Sequence, residues 1–248
     1  MPSPAESATD RAGGRAPAQL RPVEIEAGFV RNADGSALIA VGGTRVICTA
    51  SLVDGVPSWR EGSGRGWLTA EYGMLPASTG ARRARDATRG RPDGRTIEIQ
   101  RLIGRAVRAV ADLDALGERT VYLDCDVLDA DGGTRCAAIT GAYVALKLAL
   151  DELIAGGALD RLPLRSSVAA VSCGVVEGVP VLDLDYREDS TAEVDMNVVM
   201  TGAGDLVEVQ ATGEGVAFSR AELDELLELA ASGIAELQRF QEEVAGAI

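Results

Sequence analysis

Apolar and polar residues alternate along four runs in the first third of the chain, and this alternation predicts β-strands. The runs are VEIEAGFV, GSALIAVGG, TRVICTASLV and GWLTAEYGML. The later stretch RTIEIQRLIGRAVRAVADL instead places six apolar residues on one helical face and leaves Arg101, Arg105 and Arg108 largely off it. The pattern therefore predicts several strands followed by an amphipathic helix.

The rest of the chain continues as strand, helix, strands and helix. TVYLDCDVL predicts a half-buried strand, and AAITGAYVALKLAL predicts a buried helix because it is apolar nearly all round. Four further runs predict strands: SSVAAVSCGVVEG, PVLDLDYRE, EVDMNVVMT and LVEVQAT. A last helix runs from about Ser219 to Ala245, with Ser219 and Glu222 at capping-box spacing. This order predicts an α+β fold with mixed or antiparallel sheets.

Two segments share a loose strand–turn–strand texture, which gives the chain two loosely similar halves and hints at a duplication. They are SALIAVGGTRVICTASLVDGVP and SSVAAVSCGVVEGVPVLDLDY. Residues 1–19, rich in Pro, Ala, Ser and Gly, are predicted to be a disordered leader without the apolar region of a signal peptide. Residues 20–248 are expected to form the folded domain.

Composition narrows the class of protein. Of the 248 residues 46% are hydrophobic, which is enough for a core, yet no run approaches eighteen consecutive apolar residues, so no membrane span is expected. The four cysteines lie far apart within apolar stretches and are predicted to be buried and reduced, as in a cytoplasmic protein. Because the chain has no histidine, Ser-His-Asp and Cys-His devices and His-ligated zinc are excluded.

The net charge of −14 argues against nucleic acid, but the charge is unevenly spread. Residues 77–108 carry nine arginines against three acids, a net charge of +6, so the rest of the chain carries −20. A basic segment on an otherwise acidic protein can still attract a polyanion, because the electrostatic potential near the binding surface governs the approach of a charged ligand. The alternative is a solvated arginine-rich loop that binds nothing.

The stretch DADGGTR, residues 129–135, lies where a predicted strand passes into the buried helix. A calcium loop does not fit, because Val127 and Ala138 would occupy ligand positions. A P-loop does not fit either, because no Lys-Ser or Lys-Thr follows the glycines.

An anion site fits this stretch better. The glycines 132–133 let the backbone approach a ligand closely, Thr134 can cap the helix or donate its hydroxyl, and Arg135 adds a charged fork at a helix N-terminus. The alternative is a plain glycine turn whose arginine pairs with Asp129 or Asp131. Arg95, at the start of the other central helix, could share the same anion pocket.

A cluster of carboxylates follows in LDLDYREDSTAEVDMNVV. Asp183 and Asp185 are predicted to share one face of a strand, while Asp189 and Asp195 bracket a short excursion. Paired carboxylates without a nearby lysine suit a hard divalent ion such as Mg²⁺. The alternative is a solvated acidic turn.

Taken together, these motifs resemble the ribonuclease PH family of phosphate-dependent exoribonucleases, which trim tRNA precursors. The resemblance runs in order from Leu20 to Ile248 and is carried by LRPVEIEAGF, GSALIAVGGTRVICTASL, GSGRGWLTAEYGMLP, GRTIEIQRLIGRAVRAV, LDCDVLDADGGTRCAAITGAYVAL and LDLDYREDSTAEVDMNVVMTG. One departure is RAGGR near residue 13, where the family usually has an Asp before the second glycine.

The resemblance implies a role for each candidate residue. The phosphate ligands would be Arg95, Gly133, Thr134 and Arg135. The essential carboxylates, and the ligands of a Mg²⁺ ion, would be Asp189 and Asp195. Candidate RNA contacts in the arginine-rich loop are Arg82, Arg83, Arg85 and Arg89. Inorganic phosphate would be the co-substrate, and the assembly a homohexamer built as a trimer of dimers.

The expected function is phosphate-dependent 3′→5′ trimming of tRNA precursors, and of other structured RNA, in the cytoplasm. A competing hypothesis is a non-catalytic RNA-binding ring subunit of an exosome-like assembly. The presence of Arg95, Arg135, Asp189 and Asp195 together favours activity. A third hypothesis, an acidic metal-binding protein, leaves the arginines unexplained.

Overall fold

The computed structural model describes residues 11–85, 88, 90–91 and 93–248. Its first sheet contains β1 (Val23–Ala27), β2 (Gly35–Val41), β3 (Thr44–Asp54), β4 (Trp67–Met74) and β5 (Arg119–Asp129). The strand order is β1-β2-β3-β5-β4, with β4 and β5 parallel and the other neighbours antiparallel. Each strand coincides with an alternating run, so these predictions are confirmed.

The second sheet is antiparallel. It contains β6 (Val168–Val176), β7 (Val179–Leu182), β8 (Val194–Thr201) and β9 (Leu206–Gly213), in the order β7-β6-β8-β9. The β2–β3 and β6–β7 pairs are both tight hairpins, which accounts for the texture that the two halves share. One mixed and one antiparallel sheet with packed helices confirm the α+β class.

The principal helices of the described residues are α1 (Gly94–Val110), α2 (Leu113–Leu116), α3 (Thr134–Ala155), α4 (Tyr186–Asp189) and α5 (Arg220–Ala245), and there are short 3-10 helices at Ala12–Gly14 and Ser58–Arg60. Helix α1 buries its predicted apolar face, and α3 is buried along most of its length. Helix α5 begins with the predicted capping box, in which Ser219 and Glu222 each bond to the other's backbone.

Strand β6 joins two hydrophobic cores because its successive side chains point to opposite faces. Val168 and Ala170 belong to the core formed by the first sheet, α1 and α3. Ala169 and Val171 belong to the core that the second sheet forms with α5. Helices α1 and α3 therefore lie between the sheets, and α5 covers the far face of the second.

Two further predictions concern burial and membranes. All four cysteines are buried and free, as predicted. Among the described residues, no helix combines the length and the apolar composition that crossing a membrane requires.

Part of the predicted disordered leader is folded. In residues 11–19, Arg11 and Arg15 are only 8% and 6% exposed, and both bond to Glu188. The prediction is wrong for this stretch because its composition does not reveal that two arginines find buried partners more than 170 residues later. Residues 1–10 lie outside the described part of the chain.

The predicted strand in PVLDLDYRE ends early, at Leu182. Asp183 has a φ of 57°, in the left-handed region, and Asp185 caps α4 by accepting hydrogen bonds from the N–H groups of Arg187 and Glu188. The two aspartates therefore do not share a strand face. The chain leaves the strand where the Asp183 carboxylate pairs with the buried Arg21.

Candidate active site

Two glycines shape the turn between β5 and α3. Gly132 and Gly133 have φ values of 77° and 66°, a conformation that favours glycine. A side chain on Gly132 could not be accommodated, because its Cβ would lie 2.6 Å from the carbonyl oxygen of Leu184. Within the described chain no side chain caps the start of α3, so its first N–H groups are available to an anion.

Side chains from elsewhere in the sequence hold this turn in place. Thr44 Oγ1 donates to the Gly132 carbonyl at 2.6 Å and accepts from the Asp131 N–H at 2.9 Å. The buried Arg21 donates to the Asp131 carbonyl and also forms a fork with Asp183, whose Oδ1 lies 2.7 Å from Arg21 Nη2. The turn is thus fixed before any ligand arrives, which lowers the ordering cost of binding.

Thr134, the first residue of α3, contacts a tyrosine that lies in none of the predicted site motifs. The Tyr72 hydroxyl donates to Thr134 Oγ1 at 2.9 Å. Burial raises the pKa of Tyr72 and outweighs the bond to Thr134, so the phenol stays neutral and keeps its proton for this bond. Tyr72 lies on the same buried face of β4 as Leu68 and Ala70, and the polar tip of a buried tyrosine was the available signal.

Arg135 does not pair with either aspartate of its own motif. Its Nη1 donates to Gln210 Oε1 at 3.0 Å and to Glu98 Oε1 at 3.3 Å, while Asp129 pairs with Arg45. The alternative of a plain turn closed by a local ion pair is therefore wrong. The Arg135 side chain is only 16% exposed, so its charge lies at the wall of the pocket and not in open solvent.

The starts of α1 and α3 meet at one small pocket. Arg95, in the first turn of α1, lines it together with Gly133, Thr134 and Arg135. The pocket has a volume of about 50 Å³. The uncapped N-terminus of α3 and two arginines thus surround a space of the size of a small inorganic ion.

The two predicted carboxylates line the same pocket. Asp189 is the last residue of α4, and Asp195 is the second residue of β8. Burial raises the pKa of Asp195 and the Asp189 charge raises it further, against the opposing charges of Arg135 and Arg95. All six residues predicted for phosphate or metal therefore come together, although they come from four separate parts of the chain.

A row of polar side chains across the second sheet completes the pocket and was missed. Ser172 on β6 lies opposite Asn197 on β8, and Asn197 lies opposite Gln210 on β9. Ser172 and Asn197 line the pocket, and Gln210 holds Arg135. The spacing of Asp195 and Asn197, two residues apart on one strand, was a signal for Asn197.

The carboxylates fit a metal ion that is bound together with substrate. Among the described residues, no cluster of three or more Cys, Asp or Glu side chains could hold an ion by itself. Mg²⁺ commonly binds through one or two carboxylates together with substrate phosphates and water. Asp189 and Asp195 match this smaller donor set.

The predicted RNA contacts occupy different environments. Arg82 and Arg85 are exposed in the loop after β4. Arg83 is half-buried, and its Nη2 lies 3.4 Å from Oδ2 of Asp93, the residue that caps α1. Arg89 lies outside the described residues. The structure therefore leaves Arg82 and Arg85 as exposed cations and gives Arg83 a contact within the protein.

Three solved structures have a similar fold, and two of them are described as exosomes. A chain of the structure described as the Archaeoglobus fulgidus exosome with RNA bound to the active site is 24% identical, with 92% of this chain and 91% of that chain covered and a TM-score of 0.78. Rrp46 from rice (Oryza sativa) is 21% identical, with 94% and 98% covered and a TM-score of 0.75. A chain of an archaeal exosome core is 22% identical, with 97% and 93% covered and a TM-score of 0.74.

Family models match most of the sequence. Residues 19–150 match domain 1 of the 3′ exoribonuclease family, and residues 166–233 match domain 2. The first match contains Arg95 and the turn at Gly133, and the second contains Asp189 and Asp195. The chain therefore belongs to the 3′ exoribonuclease family of ribonuclease PH.

Proposed function

We propose that this protein is a phosphate-dependent 3′→5′ exoribonuclease that trims the 3′ ends of tRNA precursors. The observation that carries the proposal is the meeting of two arginines, a helix N-terminus and two aspartates in one pocket of about 50 Å³. Sites for drug-sized ligands usually measure roughly 300–1,000 Å³. The pocket therefore suits inorganic phosphate better than a nucleobase.

The reaction needs no nucleophile from the protein. An oxygen of inorganic phosphate attacks the phosphorus of the last phosphodiester, the bond from phosphorus to the 3′ oxygen breaks, and that oxygen takes up a proton. The products are a nucleoside 5′-diphosphate and an RNA that is one residue shorter. Since one phosphoryl linkage replaces another, the reaction is reversible.

The residues of the pocket divide the work of binding and orientation. Arg95, Arg135 and the N–H groups at the start of α3 hold the attacking anion beside a polyanion, which lowers the barrier through positioning and charge stabilisation. A Mg²⁺ ion on Asp189 and Asp195 would supply further neutralisation of the charge that develops on the scissile phosphate.

The main alternative is a non-catalytic ring subunit. Two of the three structures of similar fold are described as exosomes, which is why this alternative stands beside the first. A ring subunit without activity needs no complete pocket, whereas this chain brings all six predicted residues together. We therefore favour an active enzyme. In keeping with the family resemblance, we propose that it assembles as a homohexamer, a trimer of dimers, and acts in the cytoplasm.

The decisive experiment measures phosphate dependence. RNA carrying a 3′ extension is incubated with the protein and Mg²⁺, with and without inorganic phosphate, and nucleoside diphosphate release is followed. We expect release only with phosphate. Release of nucleoside monophosphates without phosphate would indicate hydrolysis, and no release under any condition would favour the ring subunit.

Asp195→Asn provides a matched variant for this assay. It keeps the shape of the side chain but removes the charge, so we expect turnover to be largely lost while RNA binding stays near normal.

Because burial and Asp189 raise the pKa of Asp195, its ionised form costs stability above that pKa. The variant should therefore melt at the wild-type temperature or above it. Wild-type turnover in Asp195→Asn would contradict the proposed role of this carboxylate.

A further inference from the structure

A short N-terminal segment contacts two parts of the candidate active site, the turn before α3 and the helix α4. We call residues 11–21 the N-terminal strap. Its three arginines, Arg11, Arg15 and Arg21, are all buried, at 6–8% exposure. Buried arginines are uncommon unless they are paired, so their partners indicate what the strap does.

Arg11 forms a bidentate ion pair with the side chain of Glu188. Its Nε lies 2.7 Å from Glu188 Oε1, and its Nη2 lies 3.0 Å from Oε2. The same guanidinium also donates to the carbonyls of Leu182 and Asp183, at 2.7 and 3.2 Å. Arg11 thereby fixes both the end of β7 and the side chain of a residue in α4.

Arg15 reinforces this contact. Its Nη2 donates to Glu188 Oε2 at 3.1 Å, and its Nη1 donates to the Asp183 carbonyl at 3.0 Å. Within the described part of the chain its Nε has no hydrogen-bond partner. Arg11 donates through all three of its nitrogens and is therefore the more informative residue to change.

Glu188 directly precedes Asp189 in α4, a helix that is too short to be stable without contacts to the rest of the protein. Helix α4 has four residues, which is a single turn, and isolated turns of this length are unstable because nucleation is costly. The bidentate pair with Arg11 and the hydrogen bond from the Asp185 N–H fix the Glu188 side chain, so this short helix is attached to the strap through a buried arginine.

The other end of the strap holds the anion turn. Arg21 pairs with Asp183 and donates to the carbonyl of Asp131. One continuous segment of eleven residues thus binds the turn before α3, through Arg21, and the helix that carries Asp189, through Arg11 and Arg15.

We infer that Arg11 and Glu188 are positioning residues, which act through α4 to hold Asp189 in the pocket. The inference rests on the proposed function, because it assigns these two residues to the same site. Neither residue lines the pocket, so they act on the geometry of Asp189 and not on the bound phosphate.

The test compares Arg11→Ala and Arg11→Lys with Lys147→Ala. Lys147 is also a buried cation, and its Nζ lies 2.6 Å from Asp151 Oδ2. It stands thirteen residues after Thr134 in α3, which places it about 20 Å from the pocket at about 1.5 Å per residue. Lys147→Ala therefore reports the general cost of losing a buried cation and its ion pair.

All variants are assayed at a temperature where circular dichroism shows them folded. We expect Arg11→Ala to lower turnover at saturating phosphate on the order of ten- to a hundredfold, because misplacement of a reacting group by about 1 Å has effects of this size. The apparent KM for phosphate should change by less than about threefold, since the phosphate ligands lie on other elements. Arg11→Lys keeps the charge without the fork, so its turnover should lie between those of Arg11→Ala and the wild type.

Hydrogen–deuterium exchange gives a second readout that does not depend on activity. Amides of residues 185–190 should exchange faster in Arg11→Ala and remain unchanged in Lys147→Ala. Unchanged exchange there, or wild-type turnover in a folded Arg11→Ala protein, would overturn the inference. If the wild-type protein releases no nucleoside diphosphate, the proposed function fails, while faster exchange in Arg11→Ala would still support the strap as the anchor of α4.

Discussion

Arg135 is the residue whose charge the proposed phosphate site needs most directly. It lines the pocket, and Gln210 and Glu98 orient its guanidinium without closing the site. Each hydrogen bond from a charged group contributes roughly 1.5–3 kcal/mol. Since about 1.4 kcal/mol corresponds to a factor of ten, Arg135→Ala should raise the apparent KM for phosphate at least about tenfold.

The measurement is a phosphate titration at fixed RNA. Turnover should also fall at saturating phosphate, because the nucleophile is less well oriented, and Arg135→Lys should recover little of either loss. Arg45→Ala is the matched control, since its exposed pair with Asp129 flanks the same turn and should leave the KM within about twofold. A wild-type KM in Arg135→Ala would show that the arginine serves only the structure.

The residues of the pocket differ in how far the sequence reveals them. Gly133 and Arg135 could be singled out because glycines followed by an arginine at a strand–helix junction fit an anion site, but their role as phosphate ligands was implied by the family resemblance. Ser172 is a single polar residue inside an apolar strand run, and nothing local marks it, whereas the signal for Asn197 is its spacing of two residues from Asp195. Their role depends on the register between β6 and β8, which pairs residues distant in sequence.

The loop between β4 and α1 is the element expected to contact RNA. Of the described candidates, Arg82 and Arg85 are exposed, whereas Arg83 is half-buried and contacts Asp93. Each phosphate contact to single-stranded RNA contributes about 0.7 to the slope of log affinity against log salt. Replacing Arg82 and Arg85 by alanine should therefore make the slope shallower by about 1.4.

The control for this experiment carries the same change in charge. Arg161 and Arg165 are exposed and both pair with Asp112, away from the pocket. Their double alanine variant should leave the salt dependence of binding at the wild-type value. An equal effect of the two double variants would mean that only net charge matters and that the loop makes no specific contact.

At the level of elements, strands and long helices were predictable, while the short connecting elements were not. The period of apolar residues identifies β1 to β6, β8 and β9, and the helices α1, α3 and α5. It gives no warning that β7 stops at Leu182, because the end of this strand is set by the pairing of Asp183 with Arg21. The folded part of the leader was missed for the same physical reason: buried ion pairs between distant residues have no local periodicity.

For the molecule as a whole, β6 joins the two cores, so we expect the halves to unfold together. Leu226 on α5 is fully buried in the second core, and Leu226→Ala should cost about 2–5 kcal/mol of unfolding free energy. Both tryptophans, Trp59 and Trp67, lie in the first half. Denaturant unfolding followed by tryptophan fluorescence should therefore report a lower midpoint although the substitution lies in the other half.

Circular dichroism on the same samples is the companion measurement. Coincident curves from the two probes indicate one cooperative transition. An unchanged fluorescence midpoint, together with a separate earlier transition in circular dichroism, would show that the second core unfolds by itself.

Because Gly132 has no Cβ, the turn before α3 can lie close to the chain before α4. This close approach helps to set the width of the pocket. A Cβ at this position would lie 2.6 Å from the Leu184 carbonyl oxygen and 2.7 Å from the carbonyl carbon of Asp185. One added methyl group would act as a wedge between the helix start that faces the anion and the short helix that bears Asp189. The spacing of the reacting groups can thus be altered while every charged side chain of the site remains in the sequence.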